Sequence, residues 1–303
     1  MNAREWLGSG GPAAPDIAVL GAPISRASIS PSEAWSTPPA FRDALARFPT
    51  WDAEHGIDVA SLLPHDLGDV PGDRDDADAS AAHARLDAAA AGAARAAPAV
   101  FVIGGDNSLT RPAMLGMMSA RPEEEWGLIT IDAHHDCRPA DRGSRNGTPV
   151  RELIEAGLPG DRVAQIGISA FGNAREHAEW AAAHGVRVYS RASVLTASMS
   201  SVVTDAVSTL AHAGVSALYV DFDIDAVDRA FAPACPASLP GGLTPGELLA
   251  AAHALGREPR VRAADITEVD ANADVNGMTV RLAAAAFMWF CSGIAARGGR
   301  PQP

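Results

Sequence analysis

Only three cysteines, Cys137, Cys235 and Cys291, occur in 303 residues. That is too few for a disulfide-stapled fold and fits a reducing cytoplasm. Cys137 and Cys235 flank acidic clusters, yet they read as ordinary buried thiols rather than a redox pair. Basic residues are scarce too: 24 Lys and Arg face 37 Asp and Glu, for a net charge of −13. So acidic a chain lacks the basic face that nucleic acid or an anionic membrane requires. Residues 1–16 lack the basic stretch and apolar core of a signal peptide. The longest apolar run, Leu282–Ala296, has fifteen residues and holds Ser292 and Gly293. It is short for a membrane span and reads as a buried helix. No Pro/Ser/Gly-rich linker or repeat divides the sequence. The expectation is one soluble, cytoplasmic domain over residues 1–303, with a core at about 17–296 and loose segments at 1–16 and 297–303.

What is present is a regular alternation. Apolar runs expected as strands are Ile17–Gly21, Val100–Gly104, Gly127–Asp132, Val163–Ile168, Val186–Tyr189, Ala217–Asp223 and Val261–Ile266. Between them lie Ala-rich helical stretches: Asp78–Ala97, Ser108–Ala120, Pro149–Ala156, Arg175–His184, Ser198–Ala213, Pro245–Leu255 and Met278–Ala296. Strands apolar throughout and separated by helices describe an α/β fold, a parallel sheet covered on both faces.

Ligands of such sheets gather beyond the carboxyl ends of the strands. Four strand ends here carry acid: Gly104-Gly105-Asp106-Asn107, Asp132-Ala133-His134-His135-Asp136, Asp221-Phe222-Asp223-Ile224-Asp225 and Thr267-Glu268-Val269-Asp270. Left alone these carboxylates repel one another; a shared cation removes the conflict. Asp132, His134 and Asp136 sit at i, i+2 and i+4, one side of an extended strand end. Asp221, Asp223 and Asp225 repeat that period, unless the strand stops at Asp223 and the chain turns. Carboxylates with an imidazole suit Mn²⁺ better than a thiolate-seeking Zn²⁺ site. The donors exceed the needs of one cation, and two metals sharing aspartates activate a bridging water as hydroxide.

Taken together, GGDNS (Gly104–Ser108), DAHHD (Asp132–Asp136), DFDIDAVD (Asp221–Asp228), PGGLTPGEL (Pro240–Leu248) and ITEVD (Ile266–Asp270) resemble the ureohydrolase family of arginases, agmatinases, guanidino-acid hydrolases and formimidoylglutamases. LGAP (Leu20–Pro23) and DLGDV (Asp66–Val70) fit as well. The resemblance implies a three-layer α/β/α fold around a mainly parallel, roughly eight-stranded sheet, a trimer or hexamer, and two Mn²⁺ per subunit. It implies Asp132 and Asp223 as bridging ligands, His134 and Asp225 completing one site, and Asp136 helping to build the other. Glu268 matches the carboxylate that holds the cationic C=N group of the substrate while the metal-bridging hydroxide attacks its carbon.

Two positions depart from the common pattern. Asn107 stands where most relatives carry a histidine ligand of the first metal; an amide oxygen is a weaker donor, so that metal is expected to bind loosely. Asn146, in Arg145-Asn146-Gly147-Thr148-Pro149, stands where arginases carry a proton-shuttling histidine, and an amide carries no titratable proton. The leaving amine then draws its proton from Asp136 or solvent.

Arg138 follows two residues after Asp136. Its planar, two-pronged guanidinium suits a carboxylate and repels the ammonium of agmatine, so an acidic substrate tail is favoured. The alternative for Arg138 is an ion pair with Asp141. DAHHDxR followed by NGTPVR most resembles formimidoylglutamases, which implies N-formimidoyl-L-glutamate and water giving L-glutamate and formamide, a step of histidine breakdown. Arg138, Asn146 and Glu268, with Arg145 or Arg151 and Asn173, are the expected substrate contacts. A guanidino-acid hydrolase or agmatinase releasing urea is the alternative within the class, and a catalytically silent ligand-binding relative the alternative outside it. His135 alternates away from the ligands and is not expected on the metals.

Overall fold

The computed structural model describes residues 1–11 and 13–297. Its strands are β1 (Ile17–Gly21), β2 (Trp51–Asp52), β3 (Ile57–Asp58), β4 (Pro64–Asp69), β5 (Ala99–Ile103), β6 (Trp126–Ile131), β7 (Val163–Ile168), β8 (Arg187–Ser190), β9 (Ala217–Asp223) and β10 (Val261–Thr267). Its helices are α1 (Ala3–Leu7), α2 (Thr37–Leu45), α3 (Ser80–Ala96), α4 (Thr110–Ala120), α5 (Pro149–Glu155), α6 (Arg175–Ala183), α7 (Arg191–Ala197), α8 (Met199–His212), α9 (Pro245–Arg257) and α10 (Met278–Ala296). Eight strands form one sheet in the order β4-β1-β5-β10-β9-β6-β7-β8, every neighbouring pair parallel. β2 and β3 make a separate antiparallel hairpin.

Strands β1, β5, β6, β7 and β9 are buried at every position, as a sheet sandwiched between helices requires. Alternate residues of β1 enter opposite cores. Ile17 and Val19 belong to the core shared with α1, α2, α8, α9 and α10, while Ala18 and Leu20 belong to the core shared with α3, α4, α5 and α6. The result is the expected three-layer α/β/α arrangement.

Within the N-terminal segment expected to be loose, Ala3, Trp6 and Leu7 are instead buried in the core. Asn2 and Glu5 form a reciprocal capping box that starts α1, and this supplies hydrogen bonds that a five-residue helix cannot make internally. Trp6 is 1% exposed, donates from its indole to Leu62 O at 3.0 Å and lies 6.1 Å from the Phe287 ring. Of the expected polar tail, 298–303 lies outside the described residues.

α10 has the length and apolarity to cross a membrane, yet it is folded against α9, and Phe287 and Phe290 are buried. Glycines allow the two helices to meet backbone to backbone: a Cβ on Gly293 would sit 2.4 Å from His253 O, and one on Gly256 2.2 Å from Phe290 O.

The four acidic strand ends belong to β5, β10, β9 and β6, four consecutive strands at the middle of the sheet. Parallel pairing puts their carboxyl ends on one edge, so segments far apart in the chain meet.

Candidate functional site

Two turns shape the cluster. β9 ends at Asp223, whose Oδ1 accepts from Asp225 N at 2.8 Å and opens one 3-10 turn, Ile224–Ala226. The strand therefore stops at Asp223 and the turn carries Asp225 out of its alternation: Asp221 lies deeper in the strand beside Asp265, while Asp223 and Asp225 reach the strand edge. After β6, Asp132 Oδ1 accepts from His134 N at 2.6 Å and Ala133 N donates to Asp225 Oδ1 at 3.1 Å. His134 Nδ1 consequently lies 2.6 Å from Asp225 Oδ2 and 3.7 Å from Asp132 Oδ1. One donor atom from each of Asp132, His134 and Asp225 falls within 4.8 Å of the others.

Asp136 and Glu268 hold left-handed backbone, φ 50° and 65°, a conformation that non-glycine residues keep only where the surroundings enforce it. Glu268 N donates to Gly105 O at 2.8 Å, and Glu268 Oε1 accepts from Asn107 N at 2.8 Å and Asn146 Nδ2 at 3.0 Å. Gly105 is required here, because a Cβ would fall 1.8 Å from Ile24 O.

These acids are deeply buried: Asp132 0% exposed, Asp223 and Glu268 2%, Asp225 3%, Asp136 7%. Burial, then the neighbouring Asp225, raises Asp132 to about 7. Burial, then Asp106, raises Glu268 to about 8. Asp136 and Asp223 are pushed well above the carboxylate range, first by burial and then by other aspartates. Burial opposes charge on Asp225 and His134 as well, but the pair holds Asp225 low and carries His134 up to about 12. Asp132 Oδ2 is buried without a hydrogen-bond partner. Orphaned, mutually repelling oxygens beside an imidazole fit a divalent cation, and this oxygen-rich donor set fits Mn²⁺.

A cavity of about 330 Å³ opens over the cluster, lined by His134, Asp136, Asp223 and Asp225 and also by Arg138, Asn146, Asn173 and His177. Arg138 is exposed, and among the described residues no carboxylate pairs with it, Asp141 included. Asn146 accepts from Ile29 N at 3.0 Å while donating to Glu268.

Other expected contacts lie elsewhere. Arg145 lines a separate pocket with Arg26, Arg142 and His83, because its loop turns the guanidinium toward Ser28 O. Arg151 pairs with Glu155 and covers the Trp180 ring. Asn173 lines the cavity, but its amide is occupied at both ends, accepting from His135 N at 2.8 Å and donating to Ala133 O at 3.1 Å. It clamps the 133–135 turn. Asn107 presents its NH2 to Asp136 Oδ2 at 2.6 Å, while its oxygen accepts from Thr110 Oγ1 at 2.8 Å. In this orientation the NH2, not the oxygen, faces the acidic cluster; the Thr110 hydroxyl, one turn on and also 2.9 Å from Asp265 Oδ2, can serve either end of the amide. His135 is buried against Gln165, with Nδ1 2.7 Å from Oε1, and Gln165 Nε2 donates to His135 O at 2.9 Å. Gln165 and His177 were not singled out by sequence. Gln165 carries one signal, a lone amide in the apolar run VAQIGI; His177 carries none.

The family model described as the arginase family matches residues 15–292. The chain is 36% identical to a formimidoylglutamase of Halalkalibacterium halodurans over 277 residues, 91% of this chain and 86% of that protein. The crystal structure of formimidoylglutamase from Bacillus subtilis superposes with TM-score 0.86 at 30% identity, covering 92% of this chain and 87% of that one. An asparagine-to-histidine variant of Trypanosoma cruzi formiminoglutamase with Mn²⁺ superposes with TM-score 0.88 at 25% identity, covering 98% and 99%. With its sheet order and acidic strand edge, the chain belongs to the arginase family.

Proposed function

We propose that the chain hydrolyses a C–N bond of a linear amidine with an acidic tail, N-formimidoyl-L-glutamate, to L-glutamate and formamide. The observation that carries this reading is the exposed, unpaired Arg138 in the same cavity as the buried carboxylates. One pole takes a cation and the other an anion, which matches a formamidine joined to a carboxylate. The relatives named formimidoylglutamase act in its support.

Asp132, His134, Asp136, Asp223 and Asp225 are the residues we assign to hold two Mn²⁺, with Asn107 at the edge of the first position. Mn²⁺ bound there supplies a Lewis acid that lowers the pKa of water and so generates a nucleophile at neutral pH. Glu268, fixed by Asn107 N and Asn146 Nδ2, faces the formamidinium and orients its carbon. Arg138 takes a carboxylate of the glutamyl end in a two-pronged contact. Asn146 carries no titratable proton, so the leaving amine is protonated from Asp136 or from solvent. The three buried free thiols accord with work in the cytoplasm. A single domain assembling as a trimer or hexamer completes the proposal.

The test is Mn²⁺-loaded protein incubated separately with formimidoylglutamate, 4-guanidinobutyrate, arginine and agmatine, with glutamate, formamide and urea as readouts. Formamide from the first substrate alone is expected; urea from a guanidino acid without formamide overturns the substrate assignment.

A further inference from the structure

Away from the strand edge, the β2–β3 hairpin and the outer faces of α9 and α10 bring together Asp52, His55 and His253. One donor atom from each lies within 4.8 Å of the others. Nothing in the hydrolysis described above uses them.

The three side chains are prepared to different degrees. Asp52 is tightly held: Oδ1 accepts from Glu54 N at 3.0 Å and His55 N at 3.1 Å, and Oδ2 accepts from Ser292 Oγ on α10. His55 Nδ1 lies 2.8 Å from Asp52 Oδ2. His253 is 8% exposed, and its Nε2 is buried with no hydrogen-bond partner. Buried imidazole nitrogens are ordinarily bonded, so this one marks a missing partner. The His253 ring stacks on His55 at 3.6 Å, with Trp289 edge-on to both.

Electrostatics favour a metal over a proton at His253. Burial, then His55, lowers its pKa to about 4, with Arg257 acting in the same direction and Asp52 against it. The imidazole is therefore neutral near pH 7, the form that ligates metals. Arg257 repels an incoming cation, and the Asp52 carboxylate attracts it.

We propose that Asp52, His55 and His253 bind one divalent ion of the Zn²⁺ class, clipping the β2–β3 hairpin to α9. Two imidazoles and one carboxylate make a three-residue zinc set with a fourth position left to water. The softer, nitrogen-richer donors distinguish this site from the oxygen-rich Mn²⁺ cluster. The rings lie 14° from parallel, so their in-plane lone pairs run side by side, and one ring must rotate out of the stack for both to reach a common ion. His55, in the exposed hairpin turn, has room to do so. A hairpin of two two-residue strands cannot hold itself together, and an ion shared with α9 anchors it.

The experiment uses the full chain, wild type, His55→Ala and His253→Ala, stripped with chelator, reloaded with Mn²⁺ and titrated with Zn²⁺. At saturation wild type is expected to hold one Zn²⁺ more than either variant, and to show a Zn²⁺-dependent rise in Tm that both lose. Co²⁺ in place of Zn²⁺ should give wild type an additional visible absorption band. Mn²⁺-supported amidine hydrolysis stays equal in all three. Equal Zn²⁺ counts in the three proteins overturn the proposal. Because His253 is buried and its variant can misfold, the exposed His55→Ala decides alone in that event.

Discussion

Asn107 donates from Nδ2 to Asp136 Oδ2 at 2.6 Å while Thr110 Oγ1 donates to its oxygen at 2.8 Å. The amide faces the acidic cluster with its donor end, so ligation requires it to turn over and surrender the Asp136 bond; its NH2 then donates to Thr110 Oγ1, whose own proton goes to Asp265 Oδ2 at 2.9 Å. Asn107→His removes that conflict and supplies an imidazole. Mn²⁺ affinity at the first position should tighten by about 10–100-fold, the range seen when a metal's immediate surroundings change. Calorimetric titration of stripped protein reads this directly, and unchanged isotherms would remove Asn107 from the metal site.

Arg138 is exposed and unpaired in the cavity, so its loss leaves no stranded partner inside the protein. A hydrogen bond to a charged group contributes about 1.5–3 kcal/mol, so Arg138→Ala should raise KM for acidic amidines about 10–100-fold while leaving kcat nearly unchanged. Arg138→Lys should fall between, because an ammonium cannot match the two-pronged geometry. An unaltered KM would sever Arg138 from substrate binding.

The central strands are legible because burial on both faces writes them as unbroken apolar runs; Val163–Ile168 and Ala217–Asp223 keep the expected bounds. β4 is an edge strand whose residues PHDLGD put the apolar Leu67 on the open side and Asp66 and Gly68 on the half-buried one, so no apolar period marked it as a strand. α1 is too short for a helical period, and its stability comes from Asn2, Glu5 and the distant Phe287. Asp132, His134 and Asp225 converge as their positions at strand ends suggest. The direction of an amide is set by partners that only the fold brings up, so the Asn107 NH2 going to Asp136 and both ends of Asn173 going to the 133–135 turn were illegible.

Metal-free protein should lose stability as pH rises from about 5 to about 8. Burial first, with neighbouring acids, raises Asp132 to about 7 and Glu268 to about 8 in the folded state. The folded chain therefore binds more protons than the unfolded one across that window, and stability falls as they leave. His134, carried to about 12 by Asp225 and Asp132 against burial, has the same sign above its unfolded pKa. Asp225, held low, contributes the opposite sign only in stronger acid. Mn²⁺ at a hundredfold excess over Kd adds about 2.7 kcal/mol, roughly 5 °C in Tm for a chain of this size. Because the cation displaces these protons, the increment should be larger at pH 8 than at pH 5. Thermal melts of stripped and loaded protein check it; an increment independent of pH would contradict the protonated cluster.

Trp6 joins α1 to the core through Leu62 O and the Phe287 ring. Trp6→Ala should therefore cost about 3–5 kcal/mol in urea unfolding, although it lies far from the acidic strand edge in sequence. A loss below about 1 kcal/mol, the level of an ordinary surface change, would return residues 1–16 to the status of a loose segment.

Glu268→Gln separates charge from shape. Glutamine keeps an oxygen able to accept from Asn107 N and Asn146 Nδ2, the two bonds that fix Glu268 at 2.8 and 3.0 Å, and its amide tolerates burial better than a carboxylate. Stability should hold or rise. What disappears is the counter-charge for the formamidinium, and removing one partner of a buried charge pair costs about 2–5 kcal/mol, a drop in kcat/KM of about 30-fold or more. Mn²⁺ binding should persist, because Asp132, His134, Asp136, Asp223 and Asp225 are untouched. Loss of turnover together with loss of metal would instead make Glu268 part of the metal site, and full turnover would leave the cationic end of the substrate without an anchor.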